Sequence, residues 1–167
     1  NLSLKQLRQA SFILKCHSVF ERHNVPVASI ELEITETTLM ADPHRTLPML
    51  HQLAAMGLHL SIDDFGTGYS SLSILASFPV DYLKIDRSFV TGMGDSREGA
   101  ALIAGVIGLS ASLGLRVVAE GIETEDQRAA LVALGCPTGQ GWLFDAALPL
   151  DELMQRLHAQ ELSGSTD

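Results

Sequence analysis

The sequence predicts an α/β fold on parallel strands and favours a (β/α) barrel. Three observations lead there. Strand-like and helix-like segments alternate along the whole 167-residue chain. Acidic or amide residues stand at the C-terminal ends of successive expected strands. Glycine-rich phosphate loops of the dinucleotide and P-loop types do not occur. Alternation of this kind gives βαβ units with parallel pairing, which an open doubly wound sheet satisfies as well as a barrel. The doubly wound sheet commonly carries such a loop. A barrel instead gathers its strand ends on one face, where its chemistry sits.

The elements follow in order. Residues 4–22 are spaced for a helix with Leu7, Ala10, Ile13, Cys16 and Phe20 on one face. Residues 29–35 form a strand in which Ile30, Leu32 and Ile34 alternate with Glu31 and Glu33. Asp42 and Pro43 open a helix as N-cap and first-turn proline, and Gly57 closes it. A strand over 58–62 ends in the pair Asp63-Asp64, placed where strand becomes loop. A short helix over 70–76 and a strand over 80–85 come next.

Residues 97–113 read as a helix with Leu102, Val106, Leu109 and Leu113 inward, ended by Gly114. A strand over 115–119 leads to Glu120. Thr124 and Gln127 make a capping box for a helix that ends at Gly135. A last strand, 138–144, carries Trp142 and Phe144 as core or cleft wall, and a helix spans 150–160. The domain is expected over 1–160, with a disordered tail at 161–167. Asn1, Leu2 and Ser3 read as the end of a further strand.

Composition narrows the function. The chain is 46% hydrophobic and 19% charged, with a formal charge of -9. That balance suits one globular core and opposes binding to a nucleic-acid polymer, which needs a basic face. No apolar run reaches the roughly 18 residues of a membrane span. Cys16 and Cys136 read as reduced thiols of a cytoplasmic protein. The first residue is Asn1 rather than Met, as in a fragment or processed product, whose parent could be membrane-anchored.

The strand ends carry the chemistry: Asn1, then Glu33 and Glu36, Asp63 and Asp64, Lys84 and Asp86, Glu120 and Glu123, with Gln140 in the last strand. Adjacent carboxylates repel, and burying that repulsion without a cation costs several kcal/mol, about 1.4 for each unit of pKa displacement. Oxygen donors without a His or Cys cluster suit Mg²⁺ or Mn²⁺ rather than zinc. Lys84 is placed to meet a phosphoryl oxygen or a water, and Glu120 to accept the water's proton. Lys84 could instead pair with Asp86 or another nearby acid. Hydrolysis of a phosphate ester is the reaction this suggests, and enolization with a lysine base is the alternative.

The segments IELEITET (30–37), DDFGTGYSSL (63–72), DYLKIDRSFV (81–90), VVAEGIET (117–124) and GQGWLF (139–144) resemble, in order and spacing, the EAL family of cyclic-di-GMP phosphodiesterases. The resemblance runs from Asn1 to about Leu150. It implies a TIM-like barrel that hydrolyses cyclic di-GMP to linear pGpG in bacterial second-messenger signalling, with two Mg²⁺ or Mn²⁺ ions. By position it makes Asn1, Glu33, Asp63, Asp64 and Glu120 metal ligands. Lys84 resembles the lysine that contacts the nucleophilic water, and Gln140 the glutamine near the centre. Glu36 is similar to the glutamate that holds the loop after Asp64. That loop, 65–72, is associated in the family with a homodimer, and sensory or GGDEF domains accompany many members.

Two departures stand out. The family's Glu-Ala-Leu segment and first strands would precede Asn1, and a closed barrel needs on the order of 240 residues. Asp145-Ala146-Ala147 replaces a small-basic-proline run at the edge of the expected cleft. An EAL-like receptor that holds cyclic di-GMP or a protein without cleavage is the alternative function. A chain whose sheet edge pairs with another copy is the third.

Overall fold

A computed structural model describes residues 1–66, 72–93, 97–136 and 138–163. Its described strands are β1 (Glu31–Thr35), β2 (His59–Phe65), β3 (Tyr82–Ile85), β4 (Arg116–Ala119) and β5 (Thr138–Gly139). They form one parallel sheet in sequential order, as successive right-handed βαβ units of a barrel require. The described helices are α1 (Leu4–Leu7), α2 (Phe12–His23), α3 (Glu36–Ala41), α4 (Pro43–Ala55), α5 (Leu72–Leu75), α6 (Arg87–Gly92), α7 (Arg97–Leu113), α8 (Glu125–Ala133) and α9 (Leu150–Ser163).

Alternation along the strands separates core from site. Ile34, Leu60, Ile62, Leu83 and Ile85 are fully or almost fully buried, in one cluster with Leu39, Leu50, Leu53 and Ile103 of the helices. Their neighbours Glu33, Ser61, Asp63 and Lys84 occupy the other phase of the two-residue period and face the opposite side. Register puts Glu33, Ser61 and Tyr82 side by side across three strands.

Several local expectations hold. Asp42 caps α4 by accepting from the Arg45 N–H, with Pro43 in the first turn. Thr124 and Gln127 form a reciprocal capping box on α8. Gly114 ends α7 at φ +72°, in a region that costs a side-chain-bearing residue energy.

Six expectations are corrected. The helix over 4–22 is two helices, because Leu7 and Phe12 are both buried, and five residues of straight helix would set them about 140° apart. The strand expected at 29–35 begins at Glu31, after a 3-10 turn at Val27–Ser29. The strand expected over 58–62 runs on to Phe65, so the aspartate pair lies inside a strand rather than in a loop. The last strand stops at Gly139, because a Cβ at Gly141 would fall on the Ile122 backbone and the chain turns there. Trp142 and Phe144 are consequently 71% and 49% exposed rather than core. Leu102 points outward from α7, also against expectation.

The sequence reading missed α6, which Asp86 caps through the Ser88 N–H. The helix at 150–160 extends to Ser163. Residues 67–71 of the loop tied to dimerisation, and 164–167 of the tail, lie outside the described residues. Among the described residues no helix is long and apolar enough to cross a membrane.

Candidate functional site

The site is built around one buried ammonium. Lys84, third residue of β3, is 5% exposed. Its Nζ lies 2.5 Å from Glu33 Oε1 of β1 and 2.5 Å from Glu120 Oε1 after β4. Asp63 Oδ1 of β2 stands 3.9 Å away. An ammonium taken from water costs several kcal/mol, and only well-placed opposite charges repay that. Burial therefore opposes the charge on Lys84, but the hydrogen bonds it donates to Glu120 and Glu33 outweigh that and hold its pKa above the usual lysine range. The expected alternative partner Asp86 caps α6 instead.

Glu120 experiences the reverse balance. Burial raises its pKa; Lys84 lowers it; Asp63 and Glu33 raise it again, and the net direction is upward. Gln140 donates from Nε2 to Glu120 Oε1 at 2.8 Å, so the structure places the glutamine of GQGWLF against Glu120.

The aspartate pair reaches the site through an irregular backbone. In a regular strand consecutive side chains face opposite ways, so Asp63 and Asp64 would be divided between site and helices. Here β2 advances from Ile62 to Phe65 while β3 advances only from Leu83 to Ile85, which makes a one-residue bulge. Asp64 takes φ +54° within it. The left-handed region costs an L-residue about 1–2 kcal/mol, and Asp is among the few types that visit it. The bulge keeps Asp64 in the field of the site: burial, Asp63 and Asp86 raise its pKa, while Lys84 lowers it. The Asp64 N–H donates to Asp63 Oδ1 at 3.0 Å.

Glu36 follows β1 directly and is 1% exposed. Its Oε2 accepts the Gly66 N–H at 2.9 Å, which ties the end of β1 to the end of the bulge. Asn1 lies beside the C-terminal end of β1, because the Leu2 N–H donates to Glu33 O at 2.7 Å. Its side chain is exposed.

Two neighbours were not read as site residues from the sequence. Ser61 is fully buried beside Glu33, and its hydroxyl has no hydrogen-bond partner among the described residues. Arg87 pairs with Glu123 at 2.6 Å, and its guanidinium lies 5.4 Å from the Trp142 ring centroid. These contacts tie the start of α6 to the segments that follow β4 and β5. No local pattern in the sequence signals either contact.

Glu33, Asp63 and Glu120 face one lysine, and Asp64 lies within its electrostatic reach. Hard oxygen donors in such excess suit Mg²⁺ or Mn²⁺, so the residues fit the expected ions chemically. As they stand, the carboxylates close on Lys84, and no three acidic, His or Cys side chains among the described residues are grouped to hold an ion.

Comparison with known proteins bears on this constellation. The model of the EAL domain matches residues 1–147. MucR of Pseudomonas aeruginosa, named a bifunctional diguanylate cyclase/cyclic di-GMP phosphodiesterase, is 41% identical over 154 residues, covering 92% of this chain and 22% of that protein. The solved PaMucR phosphodiesterase in complex with c-di-GMP superposes with a TM-score of 0.88, covering 92% of this chain and 62% of that one. The EAL enzyme Bd1971, in its cAMP and cyclic-di-GMP bound form, gives 0.90 at 34% identity over 94% of this chain and 42% of that one. The chain spans about a fifth to two fifths of the curated relatives' length. Strand order, superposition and family match agree: the chain belongs to the EAL domain family, on a barrel of the TIM type.

Proposed function

We propose that this chain carries the catalytic centre of a cyclic-di-GMP phosphodiesterase that opens one of the two diester linkages to give linear pGpG. The observation that carries the reading is the Lys84 ammonium between Glu33 and Glu120, with Asp63 beside it and Asp64 brought in by the bulge. Relatives named as cyclic di-GMP phosphodiesterases support it.

Charge makes cations a requirement of this reading. Four carboxylates against one ammonium repel a substrate that carries two phosphodiester charges, unless divalent ions reverse the local potential. Asn1, Glu33, Asp63, Asp64 and Glu120 are the residues to hold two Mg²⁺ or Mn²⁺ ions. Bound there, such ions supply Lewis-acid polarisation of the phosphoryl group and lower the pKa of water.

The chain's own residues do the rest. Lys84 directs its ammonium at the attacking water or a phosphoryl oxygen, where its compact charge stabilises developing negative charge. Glu120 accepts the water's proton, and its raised pKa makes it a better base at neutral pH than an ordinary carboxylate. Gln140 fixes the orientation of Glu120. Glu36 holds the backbone after the aspartate pair. The water oxygen joins phosphorus as the bridging oxygen leaves and takes up a proton from solvent to become a hydroxyl, so the product keeps one intact diester and one terminal phosphate. The same reading carries a cytoplasmic location, a homodimer through the loop after Asp64, and sensory or GGDEF domains elsewhere in the parent protein.

Closure of Glu33 and Glu120 on Lys84, rather than on an open position, favours a second reading: a receptor that binds cyclic di-GMP without cleaving it. Chromatography of cyclic di-GMP incubated with the protein and Mg²⁺ or Mn²⁺ separates the two. The phosphodiesterase yields pGpG, and the product vanishes with chelator or with Asp63→Asn. Saturable binding of cyclic di-GMP with no product would establish the receptor instead.

A further inference from the structure

Gly66 is gripped from two sides. Its N–H donates to Glu36 Oε2 at 2.9 Å. Its Cα lies against Phe89 of α6, so closely that a Cβ there would stand 2.8 Å from both Cε2 and Cζ of the ring. Gly66 sits at φ +98°, two residues after Asp64 at φ +54°. Gly66 takes such a φ freely, but Asp64 does not, and a non-glycine residue in the left-handed region persists only where the surroundings over-determine it. Glu36 supplies a directional bond on one side, and the flat ring supplies a stop on the other.

We propose that Phe89 is a positioning residue of the carboxylate centre: its ring holds the Gly66 backbone against Glu36 and so maintains the bulge that aims Asp64 into the site. The helix that carries Phe89 is suited to this. Asp86 begins it directly after β3, two residues beyond Lys84, and its backbone carbonyl accepts the Phe89 N–H at 3.1 Å. The next residue, Val90, is fully buried and anchors the helix to the core, while Phe89 is only partly buried. The ring is thereby referenced to the same strand as the lysine, and Asp64 is held in register with Lys84 through α6. Phe89 touches no reacting group; it acts through Gly66.

The inference rests on the proposed metal-dependent function, and the experiment keeps the two separable. Mn²⁺ binding is followed by loss of the free-ion electron paramagnetic resonance signal, alongside thermal midpoint and cyclic-di-GMP turnover, in the wild-type protein, Phe89→Leu, Phe89→Ala and Val90→Ala. Phe89→Leu keeps an apolar side chain but loses the flat face. It is expected to stay folded, bind Mn²⁺ several-fold more weakly, and lose on the order of tenfold or more in kcat, as small misplacements of reacting groups do. Val90→Ala removes core packing on the same helix and is expected to lower the midpoint without changing Mn²⁺ affinity.

Wild-type Mn²⁺ affinity and kcat in folded Phe89→Leu overturn the inference while leaving the phosphodiesterase standing. So does a Val90→Ala variant that loses Mn²⁺ affinity as much as Phe89→Leu does, since helix destabilisation would then explain both. A wild-type protein that takes up no Mn²⁺ overturns both this inference and the metal-dependent function.

Discussion

Lys84 and Gln140 share a single oxygen of Glu120: Nζ lies 2.5 Å and Nε2 2.8 Å from the same Oε1. The lysine arrives from β3 and the glutamine from just after β5, so two strands on either side of β4 converge on the carboxylate that β4 delivers. Both donors fall on one oxygen of the carboxylate to which the proposed function gives the role of base.

That arrangement predicts the behaviour of Gln140 variants. Gln140→Ala removes a charge-assisted hydrogen bond of about 1.5–3 kcal/mol, less whatever water restores. Turnover is expected to fall roughly tenfold, with Mn²⁺ affinity little changed. Gln140→Glu places a further acid beside Glu120, and the acidic limb of the pH–rate profile is expected to move to higher pH. Steady-state kinetics across pH would check both, and an unmoved acidic limb would remove Gln140 from contact with the base.

Lys84 is the strongest structural dependence in the site. Lys84→Met leaves the partly buried Glu33 and Glu120 without their cation, a change whose upper bound is the roughly 3–5 kcal/mol of breaking a fully buried pair. Denaturant unfolding without divalent ions should show a loss within that bound. Mn²⁺ should recover more stability in the variant than in wild type, because it replaces the missing positive charge.

Asp64 separates conformation from charge. Asn tolerates the left-handed region nearly as well as Asp, so Asp64→Asn should preserve the bulge while relieving repulsion with Asp63 and Asp86. The expected result is a thermal midpoint at or above wild type in chelator, with Mn²⁺ affinity and turnover greatly reduced. Asp64→Val, β-branched and unsuited to φ +54°, should lose stability as well. A crystal structure showing regular β2–β3 pairing in Asp64→Asn would contradict this account of the bulge.

The raised carboxyl pKa values set the pH dependence of metal stabilisation. Asp64 and Glu120 titrate above their ordinary values of 3.8 and 4.5. The folded, ion-free protein therefore binds more protons than the unfolded chain just above those values. This contribution to stability is fully present below them and is lost as pH rises through the raised folded values. Divalent ions compete with the same protons. The rise in thermal midpoint on adding Mn²⁺ should be small in mildly acid buffer and larger at neutral pH. A rise that shrinks with pH would place the ion away from these two carboxylates.

Much of the fold was legible because its signals are local. The two-residue alternation of Glu31 to Ile34, the Asp42-Pro43 helix start and the Thr124–Gln127 capping box each depend on neighbours within a turn or a strand. The approach of Lys84 to Glu33, 51 residues apart, and of Gln140 to Glu120 could be anticipated only as convergence of strand ends, because contact distance is set by register and twist. Residues 140–144 were misread as strand because period-two alternation also occurs in a turn, and only the packing of Gly141 against Ile122 distinguishes the two.

The sequence by itself determined which residues stand at the ends of which strands, and so the acidic oxygen chemistry of the site. Tertiary structure alone decided how those residues face one another. The bulge that turns Asp64 into the site, the burial of Lys84 between Glu33 and Glu120, and the grip of Glu36 and Phe89 on Gly66 all arise between segments distant in the chain. The physical reason is that side-chain periodicity is a short-range property of the backbone, whereas strand register, local strain and dielectric burial exist only once the sheet and its helices have packed together.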